Sequence, residues 1–301
     1  MIMDQASTLR QLVGSDAAKE QSNTKKKKRR VRVISITSGK GGVGKTNITI
    51  NLAYALSSLG RRVFILDADL GLANIDVLLN ISPPYNIEHV LSGEKNINDI
   101  IVNGPANIRI LPASSGLSEL AELSRDEQVK LFRKLGEIDQ TMDYLLVDTG
   151  AGIASNVLRF NATADEIILV ATPEPTSMTD AYSVIKILAT KYHVRKFNLI
   201  TNAVESRKEA QAVFERLHKV VHDFLQININ YVGFVFKDPM LTKAVRMQKP
   251  LLEVFPKSPA GKCFYALAQQ IEKDATTLPS LDVKGSAPNF WDRLLHWKRQ
   301  K

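Results

Sequence analysis

The sequence predicts an α/β protein with a single doubly wound, mostly parallel sheet flanked by helices. Three observations carry this. Short β-branched runs recur along the chain, apolar almost without alternation, as strands buried on both faces require. Stretches of helical period and length separate them. A glycine-rich loop joins the first strand to the first helix. In order, the predicted strands are Val31–Thr37, Val63–Asp67, Ile108–Pro112, Tyr144–Asp148, Glu166–Ala171, Phe197–Thr201 and Tyr231–Phe236. The helices between and after them are Lys45–Leu59, Arg125–Ile138, Ser155–Ala164, Ser177–Thr190, Lys208–Phe224 and Pro259–Lys273. Such alternation specifies βαβ units around one sheet over residues 31–274.

The remainder is tail and linker. Residues 1–30 are polar, lack Trp, Phe and Tyr, and end in the basic run Lys25 to Arg30. Residues 275–288 form a linker with Pro, Gly and Ser, and 289–301 a terminal helix. The net charge of +9 resides at the ends: residues 1–32 carry nine Lys/Arg against three Asp/Glu, and 289–301 carry four against one. The stretch 33–288 balances, 27 against 27, which argues against direct DNA binding by a basic surface on the body. A single cysteine, Cys263, excludes an intrachain disulfide and a cysteine-paired zinc or iron–sulfur site. The opening residues lack a signal peptide's apolar core, and no run of 18 apolar residues exists. The expected compartment is the cytosol.

The chemistry starts at Ser38-Gly39-Lys40-Gly41-Gly42-Val43-Gly44-Lys45-Thr46-Asn47. Gly39, Gly44, Lys45 and Thr46 fit the phosphate-loop pattern between a strand and a helix. Glycines let backbone N–H groups turn toward phosphate oxygens, and the helix N-terminus adds its positive end. Lys45 is expected to neutralise the β- and γ-phosphates of ATP, and Thr46 to give its hydroxyl to Mg²⁺. Asp67 and Asp69 leave the end of the second strand on one side. Asp148 ends the apolar strand Tyr144–Asp148, where a carboxylate holds Mg²⁺-bound water. The glycines Gly150 and Gly152 then permit a loop to follow the γ-phosphate.

The segment Lys40-Gly-Gly-Val-Gly-Lys45-Thr46 resembles the deviant phosphate loop of the ParA/MinD superfamily, which implies a P-loop NTPase fold of that type. The resemblance implies an ATP-dependent homodimer and slow ATP hydrolysis. Lys40 would reach the nucleotide held by the partner subunit. It makes Asp69 the water-positioning acid, with Asp67 and Asp148 beside Thr46 on the metal side. Gly39 to Asn47 would line the phosphates. Glu174, with Asp180, matches a position at the dimer interface and beside the nucleotide. Asn202 matches an adenine-recognising amide, and Asp238 the segment that closes over the base. Gly150 and Ala154 stand where MinD itself is expected to have proline and glutamate, which favours a cousin of MinD.

The two ends refine this. From Asn289, a candidate N-cap, the residues Phe290, Trp291, Leu294, Leu295 and Trp297 fall on an arc of about 160°. With basic flanks, this describes an interfacial helix on an anionic membrane; a helix docked on the protein's own core is the alternative. MinD-like ATPases carry a membrane-targeting helix here, which implies a peripheral place on the inner face of the cytoplasmic membrane, including a cell pole. At the other end, Asp4-Gln5-Ala6-Ser7-Thr8-Leu9-Arg10 resembles the N-terminal motif of the FlhG (FleN) family, regulators of flagellum number and placement. That resemblance implies docking on an FlhF-type GTPase, with Gln5 as the activating residue and Asp4, Ala6, Leu9 and Arg10 around it. It further implies flagellar switch-complex proteins as partners and, in some members, a flagellar master transcription activator. The alternative function is a ParA-type DNA-partition ATPase, which shares the loop and Lys40. A metal-cluster carrier on this fold needs a cysteine pair that Cys263 alone cannot supply.

Overall fold

The computed structural model describes residues 31–69, 75–112, 123–138, 141–277 and 289–297. The N-terminal calls on Asp4, Gln5, Ala6, Leu9 and Arg10 lie outside these residues, as does most of the segment after Asp69. The strands are β1 (Arg32–Ser38), β2 (Val63–Ala68), β3 (Val102–Asn103), β4 (Arg109–Leu111), β5 (Tyr144–Ala151), β6 (Glu166–Ala171), β7 (Phe197–Val204) and β8 (Ile229–Phe236). They form one eight-stranded sheet in the order β3-β4-β2-β5-β1-β6-β7-β8. Every pairing is parallel except β3 with β4.

The central strands β1, β2 and β5 are buried at nearly every position, which is why their sequences do not alternate. The helices are α1 (Lys45–Ser58), α2 (Ile75–Leu79), α3 (Ile87–Leu91), α4 (Arg125–Ile138), α5 (Ser155–Thr163), α6 (Pro175–Tyr192), α7 (Arg207–Leu225), α8 (Pro239–Arg246), α9 (Leu251–Val254), α10 (Pro259–Thr277) and α11 (Phe290–Leu295). One face of the sheet packs α1 and α10 through Ile48, Leu52, Leu56, Phe264 and Leu267. The other packs α4 near β2 and β5, and α6 with α7 near β6 and β7. The sheet order changes direction across β1, so the loops after β1, β2 and β5 open at one end. That is where doubly wound sheets bind ligands.

The terminal helix takes the second of the two placements that the sequence left open, docked on the protein's own core. Phe290, Trp291 and Leu294 are buried in the α4 side of the core, and Leu295 packs partly buried against it. Trp291 stacks on Phe132 with ring centroids 6.1 Å apart, and Trp297 lies 4.9 Å from the Tyr192 ring. Gly136 lies beside this seat, where an added Cβ would make only ordinary contact with the Trp291 ring at 3.8 Å. Arg159 donates to the Leu294 carbonyl, and Arg293 donates to the Thr163 carbonyl (2.8 Å) and pairs with Asp165 (2.9 Å). Asn289 caps the helix, accepting from Asp292 N at 2.8 Å, as expected. The apolar arc expected to face lipid is thus the docking face on the protein itself. Burying it removes two large aromatic surfaces from water, Arg159 satisfies a carbonyl at its C-terminal end, and Arg293 ties it to the end of α5.

Candidate functional site

The loop after β1 has the expected shape. Gly44 adopts φ +91°, a left-handed value that L side chains rarely take, and a Cβ there would strike the Asn202 amide. Gly39 lies against the backbone of Asp180 on α6, so any side chain at Gly39 would collide with main chain. The sequence demands glycine at both positions for steric reasons. Gly152 N donates to Ser38 O (2.8 Å), which ties the loop after β5 to the phosphate loop.

Lys45 and Lys40 point to different places. Lys45 is buried at the start of α1. Lys40 is about half exposed, its ammonium 2.8 Å from Glu174 and 3.2 Å from Thr176 Oγ1. Two lysines in one loop thus serve two environments.

Three carboxylates converge beside Lys45. Asp67 and Asp148 are opposite each other in the β2–β5 register, and both are fully buried. Asp67 accepts from Asp69 N (3.2 Å) and Ile75 N (3.3 Å). Burial, with the nearby Asp148 charge, pushes the Asp67 carboxyl up to about 7. Burial likewise raises Asp148 to about 6, opposed by Lys45 and by hydroxyl bonds from Thr46 and Thr49. The Asp69 carboxylate sits over Gly150, where an added Cβ would meet it at 3.3 Å. The sequence-predicted acids are therefore together.

This cluster fits a divalent cation. Asp148 Oδ2 is buried without a hydrogen-bond partner, Asp67 and Asp69 add their charges close to Asp148, and Lys45 opposes them at Asp148. A cation satisfies both the orphaned oxygen and the excess negative charge. Thr46, Asp67 and Asp148 would hold Mg²⁺, which when bound offsets the charge of the phosphates. With nucleotide bound, Lys45 would neutralise phosphate oxygens, the loop amides would orient them, and Asp69 would position the attacking water.

Thr49 belongs to this site and was missed. Its hydroxyl lies 3.1 Å from Asp148 Oδ1 and 3.1 Å from the Lys45 carbonyl. It stands one helical turn after Lys45, so the i+4 spacing was the available signal.

Two further residues that the sequence singled out make structural contacts here. Asn202 Nδ2 donates to Val43 O (2.7 Å), so the amide supports the phosphate loop from beneath. Asp238 caps α8: Oδ1 accepts from Met240 N (2.9 Å), and Oδ2 from Ala260 N (3.0 Å). Both of its oxygens are engaged by backbone, so it holds the β8–α8 turn against α10. A pocket lined by Lys237, Pro239, Met240, Lys243 and Arg246 lies beside it, on α8.

Known proteins fit this geometry. Residues 31–199 match the family model described as an AAA domain. The chain is 42% identical over 265 residues to the Antiactivator FleN of Pseudomonas aeruginosa, covering 88% of this chain and 94% of that protein. It is 35% identical to the Flagellum site-determining protein YlxH of Helicobacter pylori, covering 88% and 90% respectively. The septum site-determining protein MinD of Pyrococcus horikoshii, solved with Mg-ADP, superposes with a TM-score of 0.65 at 26% identity, covering 81% of this chain and 97% of that one. With the deviant loop, the paired lysines and the acid cluster in place, the chain belongs to the FlhG/FleN family of MinD-like ATPases, and it binds ATP with Mg²⁺ and hydrolyses the ATP.

Proposed function

We propose that this ATPase is a timing switch for flagellum number or placement, in which ATP closes a homodimer and hydrolysis reopens it. One observation carries the dimer reading. Lys45 is buried beside its own site, while Lys40 stands half exposed at the lip of the same loop, held only by surface contacts with Glu174 and Thr176. The flagellar reading rests on the likeness to FleN and YlxH, whose names state an antiactivator and a flagellum site-determining protein. In such a switch the output is the lifetime of the ATP state, so slow turnover is useful.

Partners are read from the two ends. Asp4 to Arg10 would dock on an FlhF-type GTPase and raise its hydrolysis, with Gln5 orienting water. Flagellar switch-complex proteins and a flagellar transcription activator would bind the ATP dimer. Membrane association by Phe290, Trp291, Leu294, Leu295 and Trp297 requires the terminal helix to leave its groove on α4. Glu174 and Asp180 would lie near the dimer face, with Asp69 setting the duration of closure.

Sedimentation with Mg-ATP and with Mg-ADP tests the core of this, using wild type and Asp69→Ala. We expect a dimer with ATP that persists in Asp69→Ala and a monomer with ADP. A monomer in every condition sinks the switch. Adding an FlhF-type GTPase then tests the N-terminus: Gln5→Ala should abolish the stimulation and leave this protein's own ATPase unchanged.

A further inference from the structure

Asp67 and Asp148 bring four carboxylate oxygens together across the β2–β5 register, and three of them hold a donor. Asp67 Oδ1 accepts from Asp69 N at 3.2 Å, and its Oδ2 from Ile75 N at 3.3 Å. Asp148 Oδ1 accepts from the Thr49 hydroxyl at 3.1 Å. Asp148 Oδ2, buried, has no partner. A side chain 99 residues away in the chain therefore decides which Asp148 oxygen is open. Thr49 is itself fully buried on α1. Its hydroxyl also lies 3.1 Å from the Lys45 carbonyl, one turn back, and that contact selects the rotamer that faces Asp148. Of the two acceptors for its one hydrogen, the carboxylate is the stronger. The Thr46 hydroxyl reaches Asp148 as well, but it is the one expected on the metal, which leaves Thr49 to hold Oδ1.

We propose that Thr49 is a positioning residue that reserves one oxygen of Asp148, and that this makes the site prefer Mg²⁺ over Ca²⁺. A carboxylate with one oxygen held offers a cation, or a water on that cation, a single point of contact. Mg²⁺ takes a compact octahedral shell and is met by single oxygens, whereas Ca²⁺ gathers about six to eight oxygens and often both from one carboxylate. Freeing Oδ1 would therefore loosen the geometry that suits Mg²⁺ and open the two-oxygen contact that suits Ca²⁺. The proposal rests on Mg²⁺ lying beside Asp148, and it is independent of the dimer switch.

Thr49→Val removes the hydroxyl and keeps the branched shape. Thr49→Ala removes it without setting a methyl against the carboxylate, and Thr49→Ser keeps it. Each protein is saturated with ADP in the absence of divalent cations, which also shows that its phosphate loop is intact. Thermal stabilisation is then followed in separate titrations with Mg²⁺ and with Ca²⁺. We expect the Mg²⁺ midpoint to rise about five- to twentyfold in Thr49→Val and Thr49→Ala. The Ca²⁺ midpoint should rise less or fall, so that the preference for Mg²⁺ shrinks, and Thr49→Ser should stay near wild type. Either hydroxyl-free variant decides the matter if the other does not bind ADP. An equal loss for both cations overturns the selectivity, since Thr49 would then only pack α1 against β5. Unchanged midpoints overturn the positioning role. Asp148→Asn separates this from the metal placement itself. A Mg²⁺ midpoint unmoved in Asp148→Asn removes the placement and the proposal together. A midpoint that moves there but not in Thr49→Val leaves the metal site standing and removes the role of Thr49 alone.

Discussion

Asp67 and Asp148 make the site sensitive to pH in a direction that can be worked out. Both carboxyls titrate higher in the fold than when free, near 7 and 6 against an ordinary value of 3.8. Between about pH 4 and pH 7 the folded protein without metal therefore holds protons that the unfolded chain has released, and these groups favour folding less as pH rises. Metal binding needs both groups ionised, so its affinity rises over the same range. The thermal stabilisation by Mg-ADP over ADP alone should be small near pH 5.5 and large near pH 8. A gain that is flat across this range would contradict the placement of Mg²⁺ on these acids. Gly44 gives a second test at this scale. Gly44→Ala forces a side chain into a left-handed conformation and into the Asn202 amide. We expect loss of nucleotide binding in calorimetry and a cost of about 1–3 kcal/mol in denaturant melts. Tight ATP binding by that variant would mean the loop does not need this shape.

The elements show which parts of the structure are local in the sequence. The strand ends fall within a few residues of the apolar runs, and Arg125–Ile138 and Glu166–Ala171 agree at both bounds, because burial on both faces and helical period are written within each segment. The loop and the three acids were legible for the same reason: strand ends and glycines fix where they go. Two things were not local. The strand Val102–Asn103 is two residues long and exists through its antiparallel pairing with β4. The start of helix α8 at Asp238-Pro239, with proline in the first turn, is by contrast a local signal. The arc of α11 was the harder case. An amphipathic face states that something apolar covers it, and the cover here is Phe132 with Leu131 and Leu135 on a distant helix. Trp291→Ala should remove about 3–5 kcal/mol of packing, more than a six-residue helix at a chain end can spare. Local release is then expected ahead of global unfolding, read as trypsin cleavage at Arg293 that wild type resists. Equal resistance in the variant would show that the arginine bonds alone hold the helix.

At the scale of the whole molecule, charge and apolar surface are divided between the ends. The body between residues 33 and 288 is neutral, and Lys25 to Arg30 precede it with six consecutive cations. Among the described residues, no helix is long and apolar enough to cross a membrane. With α11 docked, contact with an anionic surface falls to the basic run, at about 1 kcal/mol per cation and screened within a Debye length. Release of α11 would add aromatic surface that salt does not screen, and a dimer would present two copies at once. Co-sedimentation with anionic vesicles separates these contributions. With ADP, binding should be weak and vanish as salt is raised. With ATP, a salt-resistant fraction should appear, and it should be lost in a protein ending at Ser286. If ATP adds nothing at high salt, α11 stays in its groove through the cycle, the membrane reading falls, and the docked helix is a structural seal on α4. If the salt-resistant fraction is present with either nucleotide, the helix exchanges between groove and lipid independently of the switch, and ATP governs partners alone.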